Sequence, residues 1–151
     1  MARRLLIVMI LVVGVVLGAL RDFIFINLNY QLDFLRNHRA VSFAHSAFRK
    51  AVEGWDLVGL TALKWMLAAF FIACTALLSV LLARILFGDH RYARPIVLGY
   101  LLVAGLAVVL HFLSTPVPAF GGVALKLLHL LQYPVLLFFL WAAATLRQRL
   151  A

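Results

Sequence analysis

Two histidines and a cysteine are the groups placed where chemistry inside an apolar environment would need them. His111 falls near the outer end of one apolar run, and His129 about two turns into the next. Across a short hairpin the two could face each other, with Lys126, Gln132 and Tyr133 nearby. Two imidazoles on facing helices are what a haem takes as axial ligands. The same pair could line an outward-opening polar pocket, as in a quinone-type redox subunit. The plainer alternative is two interfacial histidines satisfied by backbone carbonyls, water or each other. His38, His45 and His90 lie outside the apolar runs, where solvated or interfacial side chains are expected.

Cys74, Arg84 and one histidine match the residue types of a membrane cysteine transpeptidase, whose thiolate needs a base and a stabilising cation. The spacing opposes that chemistry. Ten residues separate Cys74 from Arg84, about 15 Å along one helix. A thiolate at mid-bilayer is costly, and a buried free cysteine ordinarily acts as a small hydrophobe. A lone cysteine also permits no intramolecular disulfide. No catalytic residue and no metal-ligand set is assigned.

The acids narrow the classes further. None of the five Asp and Glu lies within an apolar run; Asp22 comes just after the first run, Leu5 to Leu20. Proton pumps and cation-coupled carriers rely on an intramembrane carboxylate to partner a mobile positive charge. Transport of that kind is therefore disfavoured.

The elements that carry these residues follow from composition. The chain has 151 residues, 66% of them hydrophobic and 13% charged, with a formal charge of +9. Soluble domains run near 50% apolar and about 25% charged. The excess indicates an integral membrane protein. The basic residues sit beside apolar runs, where they attract anionic lipids and set orientation, so nucleic acid is not an expected partner.

Four spans are expected, over about 5–26, 57–86, 95–113 and 122–146, giving an all-α fold in a single membrane domain. The first begins behind Arg3-Arg4 and is read as an uncleaved helix ending near Arg21 to Ile26; a cleaved signal sequence is the alternative. The second contains nineteen charge-free residues from Trp65 to Ala83. Pro95 suits the first turn of the third. Pro134 should kink the fourth. Trp55, Trp65 and Trp141 suit interfacial aromatic belts, and Gly99 and Gly105 offer a smooth helix face.

Arginine density places the N-terminus, the Arg84–Arg94 turn and the C-terminus, with Arg147 and Arg149, on the cytoplasmic side. The turn Phe87-Gly88-Asp89-His90-Arg91-Tyr92 offers Arg91 to a partner or to phosphate headgroups. On the outer side, a segment over about 27–56 should be amphipathic. Ile24, Leu28, Leu32 and Leu35 make one helical stripe, and Phe43, Ala44, Ala47, Phe48, Ala51 and Val52 a second. A simple connector needs only a few residues. The polar stretch Asn27, Asn29, Tyr30, Asp33 and Arg36 therefore suggests a surface that binds another integral membrane protein.

In layout the chain resembles the small four-span membrane proteins associated with exosortases in some Gram-negative bacteria. The shared parts are a first span ending in Arg21 with Phe23-Ile24-Phe25 behind it, a periplasmic segment, a second span closing on Phe87-Gly88-Asp89, and a Pro-containing last span. Asn29-Tyr30-Gln31 stands where that family has an Asp-Pro step. The resemblance implies a bacterial inner-membrane accessory protein beside a transpeptidase that sorts C-terminally tagged proteins. The catalytic Cys, Arg and His would belong to that enzyme.

Overall fold

The computed structural model describes the backbone of residues 2–150 and the side chains of 2–89 and 91–146. The side chains of His90, Arg147 and Arg149 lie outside the described residues. The chain is all-helical, with no strand among the described residues. Its helices are α1 (Ala2–Arg36), α2 (Ser46–Ala51), α3 (Leu57–Phe87), α4 (Ala93–Leu113), α5 (Ala119–Gln132) and α6 (Val135–Leu150), with a 3-10 turn at His90–Tyr92. By length and composition α1, α3 and α4 can each cross a membrane. Helices α5 and α6 qualify only together, across a break where they bend by 58°. The candidate crossings are therefore three, or four if the bent pair is one span.

The main departure from expectation is α1. The charges at Arg21-Asp22 suggest an end near Arg21 to Ile26 and a loop from residue 27, yet the helix continues to Arg36. Arg21 does not have to reach water to be tolerated. It pairs with Asp22 at 2.9 Å and lies over the Phe25 ring at 4.7 Å, leaving it only 5% exposed. No glycine or proline interrupts the chain between Gly18 and Arg36. The helix stops where His38 takes a positive φ of 46°.

Helix α3 is delimited by local chemistry at both ends. Asp56 caps its start, its Oδ1 accepting the Gly59 N–H at 2.8 Å. Gly88 ends it at φ +67°, a left-handed position that favours glycine, and its N–H donates to the Arg84 carbonyl. At 31 residues this helix is about 46 Å long, against ~30 Å of hydrocarbon. It therefore has length to spare outside the membrane.

The chain forms two compact units, Ala19–Phe71 and Met1–Gly18 with Ile72–Ala151. The first is centred on Leu28, Leu32, Val52 and Leu60. Leu28 and Leu32 of the first stripe are thus buried, with Leu35 partly buried against them. The second stripe holds only in part: Ala44, Phe48 and Val52 turn inward, while Phe43, Ala47 and Ala51 are exposed. Spacing of four residues selects the buried set, and α2 is only one and a half turns long, too short to bury both sides. The other unit is centred on Leu82, Leu86, Leu137 and Ala144, with Ile7, Ile10 and Leu11 of α1 packed against them.

Candidate functional site

Within the unit Ala19–Phe71, most of the polar residues expected to meet a partner make contacts inside the chain. Asn27 is buried. Its Nδ2 donates to the Phe23 carbonyl at 2.7 Å, and its Oδ1 accepts the His45 N–H at 2.5 Å. Asn29 Oδ1 accepts from Lys64 Nζ at 2.8 Å. Asp33 accepts from Asn37 and pairs with Arg39 at 2.9 Å. Gln31 accepts the Ser42 hydroxyl at 2.8 Å. Residues 42–45 are thereby stapled to α1 at two points, Gln31 and Asn27. Arg36 and Tyr30 remain exposed.

The staple creates a surface that polarity alone does not reveal. Phe23, Ile26 and Tyr30 share one face of α1 at spacings of three and four, and all are exposed. Phe43 packs edge-on against Tyr30, with ring centroids 6.2 Å apart, and is itself 68% exposed. His45 meets Phe23 in the same manner at 5.8 Å. The result is an aromatic strip running along the C-terminal half of α1. Tyr30 is 26 residues past Arg4, about 39 Å along the helix, whereas the hydrocarbon measures ~30 Å. A tilt near 20° shortens that reach by only a few per cent. Measured from Arg4, the length of α1 as far as Tyr30 therefore exceeds one hydrocarbon thickness.

In the other unit, hydroxyl groups organise the break between α5 and α6. Tyr133 is extended, with ψ 151°, and Pro134 has no N–H, so the last carbonyls of α5 lose their helical donors. Thr75 Oγ1 donates to the Leu131 carbonyl at 2.7 Å. Ser79 Oγ donates to the Thr75 carbonyl at 2.8 Å and lies 3.2 Å from the Tyr100 hydroxyl. With the Ser79 proton so placed, Tyr100 is the donor in that pair. This string joins α3, α4 and α5. Beside it, an apolar cavity of about 550 Å³ lies between α4 and the broken pair, among Ile96, Gly99, Val103, Leu131 and Phe139. Its only polar side chains are Tyr92 and Tyr100, so it offers room for an apolar group and no acid–base pair.

Gly14 and Gly18 are the residues that sequence reasoning missed. A Cβ on Gly14 would meet Leu137 Cδ1 at 2.6 Å and Pro134 at 3.2 Å, and one on Gly18 would meet Pro134 at 3.3 Å. Their close packing follows the four-residue small-residue spacing, Gly14-Val15-Val16-Leu17-Gly18, that lets helices approach. Gly99 and Gly105, singled out for that role, have nothing within 4 Å of a built Cβ.

His111 lies in the last turn of α4 and His129 in the last turn of α5, and both are exposed. Counting from the intervening turn, His129 is ten residues into α5 and His111 two from the end of α4. Helical rise alone therefore offsets them by about 12 Å along the hairpin. Cys74 is half-buried on α3. Arg91 is exposed beside Asp89 at 3.8 Å. Among the described residues, no group of three or more His, Cys, Asp or Glu is placed to hold a metal ion. Comparison with family models, curated proteins and solved structures finds no match.

Proposed function

We propose that this chain is a non-catalytic accessory subunit of a bacterial inner membrane, docking another integral membrane protein through its outer aromatic strip. The strip is the observation that carries the reading. Tyr30 and Phe43 are exposed and packed on each other, and Tyr30 lies farther from Arg4 along α1 than one hydrocarbon thickness. Lipid tails cover exposed apolar side chains within a span; outside it, a protein surface is the natural cover. The bent α5–α6 pair serves as the fourth crossing, which puts both termini on the arginine-rich, cytoplasmic side. An exosortase-type sorting system is the setting that the chain's layout favours.

Photo-crosslinking in native membranes tests this. A benzophenone side chain at Phe43 is expected to give one protein adduct of discrete mass, lost with Tyr30→Ala. The same probe at Val58, exposed on α3, should not give it. Lipid adducts alone at Phe43 would overturn the docking role. A Soret band in the purified protein, abolished by His111→Ala or His129→Ala, would replace it with a haem-binding redox role. Loss of function in Cys74→Ser would replace it with an enzymatic one.

A further inference from the structure

We propose that the cleft among the first turns of α1, the end of α3 and residues 141–145 of α6 binds the phosphate of an anionic phospholipid. The cleft lies within the unit formed by Met1–Gly18 and Ile72–Ala151 and measures about 450 Å³. Arg3, Arg4 and Thr145 supply its polar wall, and Ile7, Val8 and Trp141 its apolar one.

Arg3 is held in place. Its Nε and Nη2 donate to the Ile85 and Leu86 carbonyls, both at 2.9 Å, at the end of α3. A guanidinium has five N–H donors, so three remain for a ligand. Arg4 is exposed and takes part in none of the ion pairs among the described residues. No Asp or Glu lines the cleft. Asp89, the one acid in the turn after α3, faces Arg91. Two neighbouring guanidinium groups with no Asp or Glu beside them call for an anion, and their planar forks match phosphate oxygens.

The layer and the amphipathic walls choose the source of that phosphate. Leu86 lines the cleft three residues beyond the charge-free run 65–83, which places it about 4 Å past the hydrocarbon boundary. Trp141 is half-exposed there, as an interfacial indole should be. A headgroup phosphate occupies that layer with its acyl chains directed along Ile7 and Val8. A free phosphate gains nothing from those side chains. A zwitterionic headgroup would bring its own cation toward two arginines with no acid to receive it. The chemistry therefore selects a lipid with net negative charge.

The test uses the full-length protein purified in neutral detergent. Short-chain phosphatidylglycerol, phosphatidylcholine with the same chains, and inorganic phosphate are titrated separately, with binding read by tryptophan fluorescence and native mass spectrometry. Phosphatidylglycerol is expected to bind at least about tenfold tighter than phosphatidylcholine, and more weakly as salt rises from about 0.05 to about 0.5 M. Arg4→Gln should weaken it about tenfold, the usual scale for losing one charge-assisted hydrogen bond. Arg84→Gln, outside the cleft, should leave it unchanged. Equal binding of phosphatidylcholine, or wild-type affinity in a folded Arg4→Gln, would overturn the proposal. So would inorganic phosphate competing at the same concentrations, since the site would then take a soluble anion.

Discussion

Thr75 donates its hydroxyl proton to the carbonyl of Leu131, 2.7 Å away on a helix 56 positions further along the chain. That bond replaces a backbone donor removed by the break at Tyr133-Pro134. In an apolar layer there is no water to take its place, so this side chain is part of the backbone hydrogen-bonding scheme. Thr75→Val keeps the shape and removes the donor. An unsatisfied buried carbonyl costs about 1–3 kcal/mol, while side-chain hydrogen bonds measured within membranes average about 0.6. The lower part of the first range, about 1 kcal/mol, is the expected loss, because broken helices relax. Thr75→Ser should recover most of it. Reversible unfolding in mixed detergent micelles, followed by circular dichroism, measures both. A Thr75→Val protein as stable as the wild type would show that the Leu131 carbonyl finds another donor.

Gly14 of α1 reports on the same break. Its missing side chain admits Pro134 and Leu137, and the two respond differently to crowding. The Leu137 methyl can rotate away from a new Cβ; the Pro134 ring cannot. Gly14→Ala is therefore expected to cost about 1 kcal/mol, and Gly14→Val, with its branched Cβ, about 2–3 kcal/mol, as overpacking usually does. Gly105→Ala, which meets open space, should change stability by less than about 0.5 kcal/mol. Thermal melts of the three variants in one detergent rank them. Equal melting of Gly14→Val and Gly105→Ala would remove the close approach of α1 to the break.

What could be read from the residues alone depended on how local the cause was. The charge-free run from Trp65 to Ala83, bounded by Lys64 and Arg84, marks its helix by composition. Pro134 announces its break because a missing N–H is a property of one residue. The length of α1 was obscured because Arg21 reads as a charge that must leave the membrane. Its contacts include Asp22 and the face of Phe25, and spacing alone does not disclose that the ring stacks. Asn27 looked like a docking residue for a similar reason, since its partner His45 is 18 positions away. The four-residue spacing of Gly14 and Gly18 is local to the sequence, but the partner it admits, Pro134, lies more than a hundred positions away.

Asn27 gives a prediction that separates an internal role from a docking one. Asn27→Leu removes the acceptor of the His45 N–H and leaves the aromatic strip's own side chains unchanged. Loss of a buried hydrogen bond at the low end of about 1–3 kcal/mol corresponds to roughly tenfold in a local opening equilibrium. Hydrogen exchange at the His45 amide and its neighbours should therefore quicken about tenfold. Arg36→Ala, at the exposed end of α1, should leave that exchange unchanged. Unaltered exchange in Asn27→Leu would mean that Ser42 and Gln31 hold the segment alone.

The 58° bend between α5 and α6 makes the number of crossings a measurable question. If the pair spans the membrane, the C-terminus shares a side with the turn at Asp89. If it turns back, the C-terminus shares a side with Ser114. Single cysteines from Ser42→Cys, Asp89→Cys and Ser114→Cys, placed in a Cys74→Ser background, can be labelled in intact cells with an impermeant maleimide. A fourth protein carries the cysteine on a short C-terminal tag. Labelling of Ser42→Cys and Ser114→Cys, with protection of Asp89→Cys and the tag until the cells are opened, is the expected pattern. It follows from the arginine asymmetry together with the bent pair acting as one span. Labelling of the tag alongside Ser114→Cys would make α5–α6 a re-entrant hairpin. The Thr75–Leu131 bond would then hold the tip of that hairpin inside the membrane rather than stitch a broken span.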